Sequence, residues 1–284
     1  ASDLALQRER VGRVRTRRAK GAAANRASKG AYKEGSVEGM KGITLRMPLM
    51  LGTVNCFLVK AGQGFVLIDT GSPNARDALE KELASAGCTP GKLNLIVLTH
   101  GDFDHTGNAA YLREKLGARI AMHQDDAGMA ERGDMFWNRS SGNPIMKSLA
   151  PLLFRFGKAN RFTPDTLIGE GDDLSVYGLD AQVLSLPGHS KGSIGILTAA
   201  GDLFCGDLLE NRKQPVRNSL MDDTPACEAS IERLETLSIG TIYPGHGEPF
   251  PMEQFSSSAK GRGQIQAVPA RRGVSRRWQL GVRQ

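Results

Sequence analysis

The sequence predicts a layered α/β fold whose functional groups collect at the carboxyl edges of its strands. Three observations point there. Apolar runs of strand length alternate with segments of helical character, and LNLIVL (93–98) is apolar almost throughout, as a central strand covered on both faces would be. Polar, Gly-rich stretches follow these runs directly. Four of the five histidines, His100, His105, His189 and His246, lie in those stretches, the first two of them beside Asp102 and Asp104. Ligand sites of open α/β sheets form in that position, outside the carboxyl ends of the strands.

The elements follow in order. TVNCFLVKAGQGFVLIDTG reads as two strands, 54–60 and 64–68, joined by AGQG and ending at Asp69. A helix is expected over 75–86, with Ser72 or Asn74 as its cap. The run 93–100 is the buried strand that ends at His100; a helix over 108–116 and a short strand over 118–123 come next. Residues 124–165 break the pattern. MFWN and PIMKSLAPLLFRFGKANRF suggest a helical insertion with one apolar face, either packed as core or serving as a lid or substrate wall. Strands resume at 181–189, 193–207 and 241–246, with a helix over 227–237.

Charge divides the chain into three parts. Of its 37 basic and 30 acidic residues, 11 basic and 4 acidic fall within 1–42, and 7 basic and no acidic within 256–284. The middle, 43–255, is therefore acidic. We expect a basic N-terminal arm over 1–42, one folded acidic domain over 43–255 and a basic C-terminal tail over 256–284. The high isoelectric point belongs to the ends, not to an active-site face. No apolar core follows the N-terminal arginines as a secretory signal requires, and Asp3 and Glu9 count against a transit peptide. No apolar run is long enough to cross a membrane. The four cysteines, Cys56, Cys88, Cys205 and Cys227, are scattered and read as reduced thiols. A cytoplasmic protein is the expectation.

The densest chemistry is His100-Gly-Asp102-Phe-Asp104-His105, four potential metal ligands in six residues. A tight loop can turn His100 and Asp102 to one side and Asp104 and His105 to the other. That serves two metals about 3.5–4 Å apart, the spacing of two-metal hydrolysis. Imidazole and carboxylate donors without thiolate suit zinc, iron or manganese.

The ordered motifs LIDTG (67–71), THGDFDH (99–105), LPGHSKG (186–192), FCGDLL (204–209) and YPGHGEP (243–249) resemble the five motifs of the metallo-β-lactamase superfamily. The resemblance implies a four-layer αββα sandwich with two divalent metals at one edge, zinc first among them. It implies that His100, Asp102 and His189 hold the first metal, that Asp104, His105 and His246 hold the second, and that Asp207 bridges both. Asp69 would act behind the ligands by hydrogen bonds. His123 matches no ligand position and reads as structural, and Ser190 and Ser193 read as hydrogen-bonding loop residues. The family pattern HxHxDH has histidine where this chain has Asp102. An extra carboxylate brings a site with two divalent ions, three aspartates and one hydroxide to neutrality, and it moves preference toward iron or manganese.

The implied reaction is hydrolysis by a metal-bridging hydroxide, with Asp104 and Asp207 as the catalytic carboxylates. The superfamily's lactonases carry a Tyr just after the bridging aspartate; here Leu208 and Leu209 follow Asp207, and Tyr243 is the substitute candidate for protonating the leaving group. The apolar insertion (Met135, Phe136, Trp137, Leu149, Leu152, Leu153 and Phe154) favours a small-molecule ester, lactone or thioester, as for an esterase or lactonase. Two alternatives share the fold: a nuclease or phosphodiesterase whose basic arms hold nucleic acid, and a β-lactam hydrolase. The acidic body argues against the former. The arms and insertion also offer surfaces for a homodimer.

Overall fold

The structure, a computed structural model, describes residues 39–139 and 144–255. Most of the N-terminal arm and the whole C-terminal tail lie outside the described residues. The exception is the end of the arm. The first strand, β1 (Met40–Arg46), begins three residues before Ile43 and pairs antiparallel with β2 (Thr53–Ala61), from Met40 opposite Val59 to Arg46 opposite Thr53.

The first sheet continues through β3 (Gly64–Ile68), β4 (Leu93–Val97), β5 (Arg119–Met122) and β6 (Thr166–Leu167) in sequence order, and β3 to β6 run parallel. The second sheet has the order β12-β11-β9-β8-β7, with the short β10 (Val216–Arg217) on β9. Its strands are β7 (Ala181–Ser185), β8 (Ile194–Thr198), β9 (Asp202–Asn211), β11 (Thr241–Gly247) and β12 (Phe250–Pro251).

Strand alternation explains why the sheets stack. In β2, Val54, Cys56 and Leu58 face one way and join a core with Leu79 and Leu83 of α1 (Arg76–Ser85) and Leu112 and Leu116 of α3 (Ala109–Leu116). Phe57, Val59 and Ala61 face the other way, into a second core between the sheets, where they meet Val183, Ile196, Phe204 and Tyr243. The outer face of the second sheet, through Leu203 and Cys205, packs on Cys227 and Leu234 of α6 (Thr224–Leu234). Both sheets are thus apolar on both faces, and the expected four-layer αββα sandwich results. Each fully buried aliphatic side chain in these layers contributes roughly 1.5–3 kcal/mol.

Two local expectations change, for the cap of the first helix and for Tyr243, and the structural reading of His123 is met. The helix α1 is entered through a 3-10 turn, Pro73–Ala75, and takes Ala75 as its N-cap; neither Ser72 nor Asn74 caps it, because Pro73 starts the turn earlier. His123 is the N-cap of α4 (Gln124–Arg132), where its Nδ1 accepts the Asp125 amide at 3.2 Å. Tyr243 is buried between the sheets, 5.0 Å from the Phe204 ring and 5.6 Å from the Phe57 ring. It is core, so the leaving-group role anticipated for it gives way to packing. The cysteines are free and buried, as expected of reduced thiols.

Candidate metal centre

The loops after β3, β4 and β7 meet strands β9 and β11 at one edge of the sandwich. Asp207 and His246, where the sequence pattern ends each strand, lie inside strands that continue to Asn211 and Gly247. The register between β11 and β9 slips twice, between Tyr243 and Pro244 and again before His246. Such a bulge re-aims side chains without ending the strand.

The four histidines share one design. Each turns Nδ1 toward a protein oxygen and Nε2 toward the middle of the site. His105 Nδ1 is 2.8 Å from Asp69 Oδ2, His100 Nδ1 is 3.0 Å from Thr99 Oγ1, His189 Nδ1 is 2.5 Å from the Leu220 carbonyl, and His246 Nδ1 is 2.6 Å from the Thr53 carbonyl. An acceptor at Nδ1 places the proton there and leaves the Nε2 lone pair free to bind. His100, His189 and Asp207 bring ligand atoms within 4.8 Å of one another, and so do Asp104, His105 and His246. Asp207 touches the second trio as well, with Oδ1 3.4 Å from His105 Nε2 and Oδ2 3.2 Å from His246 Nε2.

Asp102 stands somewhat apart. Its Oδ2 lies 3.1 Å from His189 Nε2 and 3.8 Å from His100 Nε2, while its Oδ1 accepts a 2.7 Å hydrogen bond from Arg139. The structure therefore brings all seven candidates to one site and pairs one of them with a guanidinium.

Charge in the site is tightly held. Burial alone would push the Asp207 carboxyl up, but His246 and His105 outweigh it and hold it well below the usual carboxylate range. Burial likewise opposes charge on His105, yet Asp207, Asp69 and Asp104 raise it well above the ordinary imidazole value. Burial dominates at Asp104, which is raised, and at His100, which is lowered well below its usual value. Burial would also raise Asp102, but Arg139 and His189 overcome it and drive it down.

Three buried atoms of the seven candidate ligands lack any hydrogen-bond partner: His100 Nε2, His105 Nε2 and Asp207 Oδ1. Orphaned buried groups are costly, on the order of 1–3 kcal/mol each. Here they converge, and they form a nitrogen and oxygen donor set with no thiolate. That is the chemistry of a divalent-metal site, so these residues fit the two metals expected from the sequence.

Supporting residues hold this geometry. Asp69 adopts φ 60°, a left-handed conformation uncommon for a non-glycine residue, and there its carboxylate accepts the Thr99 amide at 2.9 Å and the Thr99 hydroxyl at 2.8 Å besides facing His105. We expect Asp69→Asn to lower metal affinity about 10–100-fold while leaving the fold intact, as supporting partners of histidine ligands do; chelator competition against the wild type measures it, and unchanged affinity would refute the role. Gly245 admits no side chain, since a Cβ there would lie 2.2 Å from Asp207 Oδ1 and 2.8 Å from His105 Cε1.

Four contributors escaped sequence reasoning. Asp126 of α4 is buried and accepts the amides of Gly101 and Gly192 and the Ser190 hydroxyl, at 2.8, 2.9 and 2.7 Å. It joins the His100 loop to the His189 loop, and Gly192 must be glycine because a Cβ would sit 2.7 Å from Asp126. Asn218 donates to Asp207 Oδ2 at 3.2 Å, and Asn55 donates to the carbonyls of Pro244 and Gly247, on either side of His246. Arg139 is the fourth. Ser190 and Ser193 are hydrogen-bonding loop residues, as expected. A buried Asp one turn after a strand is the signal that could have marked Asp126; nothing local marks the others.

The insertion divides its apolar residues. Phe154 and Phe156 pack on Phe103, between the two ligand aspartates, with the Phe156 and Phe103 rings stacked at 4.1 Å. Met135, Phe136 and Leu153 border this cluster, whereas Trp137, Leu149 and Leu152 are exposed. Half of the insertion thus buttresses the ligand loop and half faces outward.

Comparison with known proteins follows this geometry. The family model described as the metallo-beta-lactamase superfamily matches residues 49–246. The human "Metallo-beta-lactamase domain-containing protein 1" is 30% identical over 230 residues, which cover 77% of this chain and 72% of that protein. The "Acyl-coenzyme A thioesterase MBLAC2" of Bos taurus is 27% identical over 226 residues, 71% of this chain and 75% of that protein. Among solved structures, TTHA1623 in a di-iron-bound form superposes with a TM-score of 0.57 at 29% identity, covering 74% of this chain and 96% of that one.

Proposed function

From membership of the metallo-β-lactamase superfamily, to which this chain belongs, we propose that it is a metal-dependent hydrolase acting on an ester, lactone or thioester with an apolar acyl part. The observation that carries the reading is the convergence of four imidazole Nε2 atoms, each tied behind through Nδ1, on the buried carboxylate of Asp207. His100, His189 and Asp102 would hold one divalent ion, Asp104, His105 and His246 the other, and Asp207 would serve both; the HxDxDH sequence thus acts as a variant of HxHxDH. The metals, zinc first and iron or manganese as alternatives, supply Lewis acidity and lower the pKa of water toward ~7.

The chain's own residues do the rest. Asp104, 3.8 Å from His105 Nε2 and 3.5 Å from His246 Nε2, would steer the attacking water. Asp207 stays ionised and fixes the orientation of His105 and His246. Exposed apolar side chains belong to the segments whose carbonyls anchor the histidines. Leu220, whose carbonyl holds His189, is 72% exposed, and Met50, three residues before Thr53, is 98% exposed. With Trp137 and Leu152 they suit an acyl chain better than a phosphate. A thioester is in keeping with the thioesterase relative.

The test is hydrolysis of p-nitrophenyl esters and acyl thioesters of increasing chain length after loading with zinc or manganese. Rising kcat/KM from acetyl to octanoyl is the expected result. A flat series would remove the apolar acyl site, and faster turnover of bis(p-nitrophenyl) phosphate would replace the reading with a phosphodiesterase.

A further inference from the structure

Arg139 is a cation inside a site meant for cations. Its side chain, about 10% exposed, reaches in from the turn after α4; Nη2 lies 2.7 Å from Asp102 Oδ1 and 3.3 Å from His189 Nε2, and Nε has no hydrogen-bond partner. Because His189 Nδ1 faces the Leu220 carbonyl, Nε2 carries the lone pair that a metal at the first position needs. The guanidinium is set against that lone pair and against one oxygen of Asp102. Nε2 atoms face carboxylate oxygens at both positions, His189 that of Asp102 at 3.1 Å and His105 and His246 those of Asp104 and Asp207; the difference is that among the described contacts no guanidinium reaches the second pair.

Charge leads to the same place. Asp102 adds a negative charge where the family pattern has a neutral imidazole, and Arg139 cancels it. The pair satisfies itself without a metal, so an ion entering the first position must displace an existing ion pair and accept a neighbouring positive charge. Each position offers one orphaned imidazole nitrogen, His100 Nε2 at the first and His105 Nε2 at the second, but entry at the second meets carboxylates without a guanidinium beside them.

We propose that Arg139 grades the two positions by competing with a divalent ion for His189 Nε2 and Asp102, so that the second position fills first and the first fills more weakly. This rests on the two-metal reading above and goes beyond it by assigning unequal affinities and a residue that sets them. Arg139 is a specificity-determining residue for metal, and the Asp102–Arg139 pair makes occupancy of the first position responsive to metal supply.

The experiment is titration of the metal-free full chain with zinc against a chromophoric chelator, with metal content measured in parallel by plasma mass spectrometry. The wild type should show two steps at least tenfold apart. In Arg139→Met, which keeps the aliphatic stem, the weaker step should tighten at least tenfold and the tighter one should stay within about twofold; Arg139→Lys, which keeps the cation, should preserve the spread. Two equal steps in the wild type would overturn the inference without any variant, as would unchanged steps in Arg139→Met or loss of its second equivalent, which would make Arg139 a support for Asp102 instead. A wild type that binds no zinc would overturn the two-metal reading itself, a result distinct from two equal steps. Circular dichroism of each variant separates misfolding from lost metal.

Discussion

Asp207→Ala should abolish hydrolysis, with kcat/KM down about a thousandfold or more, while the far-ultraviolet circular dichroism stays that of the wild type. Removing a single preorganised electrostatic group at a reacting centre costs roughly 10²–10³. Asp207 exceeds that case because it faces both trios: its two oxygens lie 3.4 and 3.2 Å from His105 and His246, and it shares a ligand cluster with His100 and His189. The fold should survive because the carboxylate packs against side chains of the site, not against either main core. Metal content supplies the second readout and should fall at both positions together. Full activity in the variant would rule out the two-metal mechanism.

Asp126→Ala should damage stability and activity at once. The buried carboxylate accepts three hydrogen bonds, and truncation strands two amides and a hydroxyl in a dry environment. At about 1–3 kcal/mol for each unsatisfied donor, partly relieved by local relaxation or an entering water, a loss of about 3 kcal/mol is expected. The His100 and His189 loops would then lose their common tie, so first-position metal affinity should drop more than second-position affinity. Denaturant unfolding measures the first effect and chelator competition the second. A variant as stable as the wild type, with both metal constants intact, would show that the loops need no tie.

These two residues mark how far the sequence could be read. Asp207 could be singled out because the superfamily's motifs are short and strictly ordered: FCGDLL is weak alone but takes its place fourth in a series of five. His100, His105, His189 and His246 were legible for the same reason. Asp126 was not, because its role exists only once α4 packs behind two loops, one 25 residues before it and the other beginning 64 residues after it. Arg139 lay in a stretch that reads as an apolar insertion, where an arginine after Trp-Asn suggests a solvated turn. The layered fold followed from strand alternation, but the placement of Asp207 and His246 within their strands did not, since a bulge between two parallel strands leaves no compositional trace in either. Tyr243 failed in the opposite sense: the lack of a tyrosine after Asp207 made it the substitute candidate, while strand alternation had already committed its ring to the core.

Two of the four imidazole anchors are main-chain carbonyls, at Thr53 and Leu220. A carbonyl is present whatever side chain its residue carries. Replacing Leu220, or the exposed residues that lead up to Thr53, therefore alters what an incoming molecule meets while leaving His189 and His246 held as before. The anchoring of His189 and His246 is thus carried by the backbone, and the side chains of these segments can vary without rebuilding the centre.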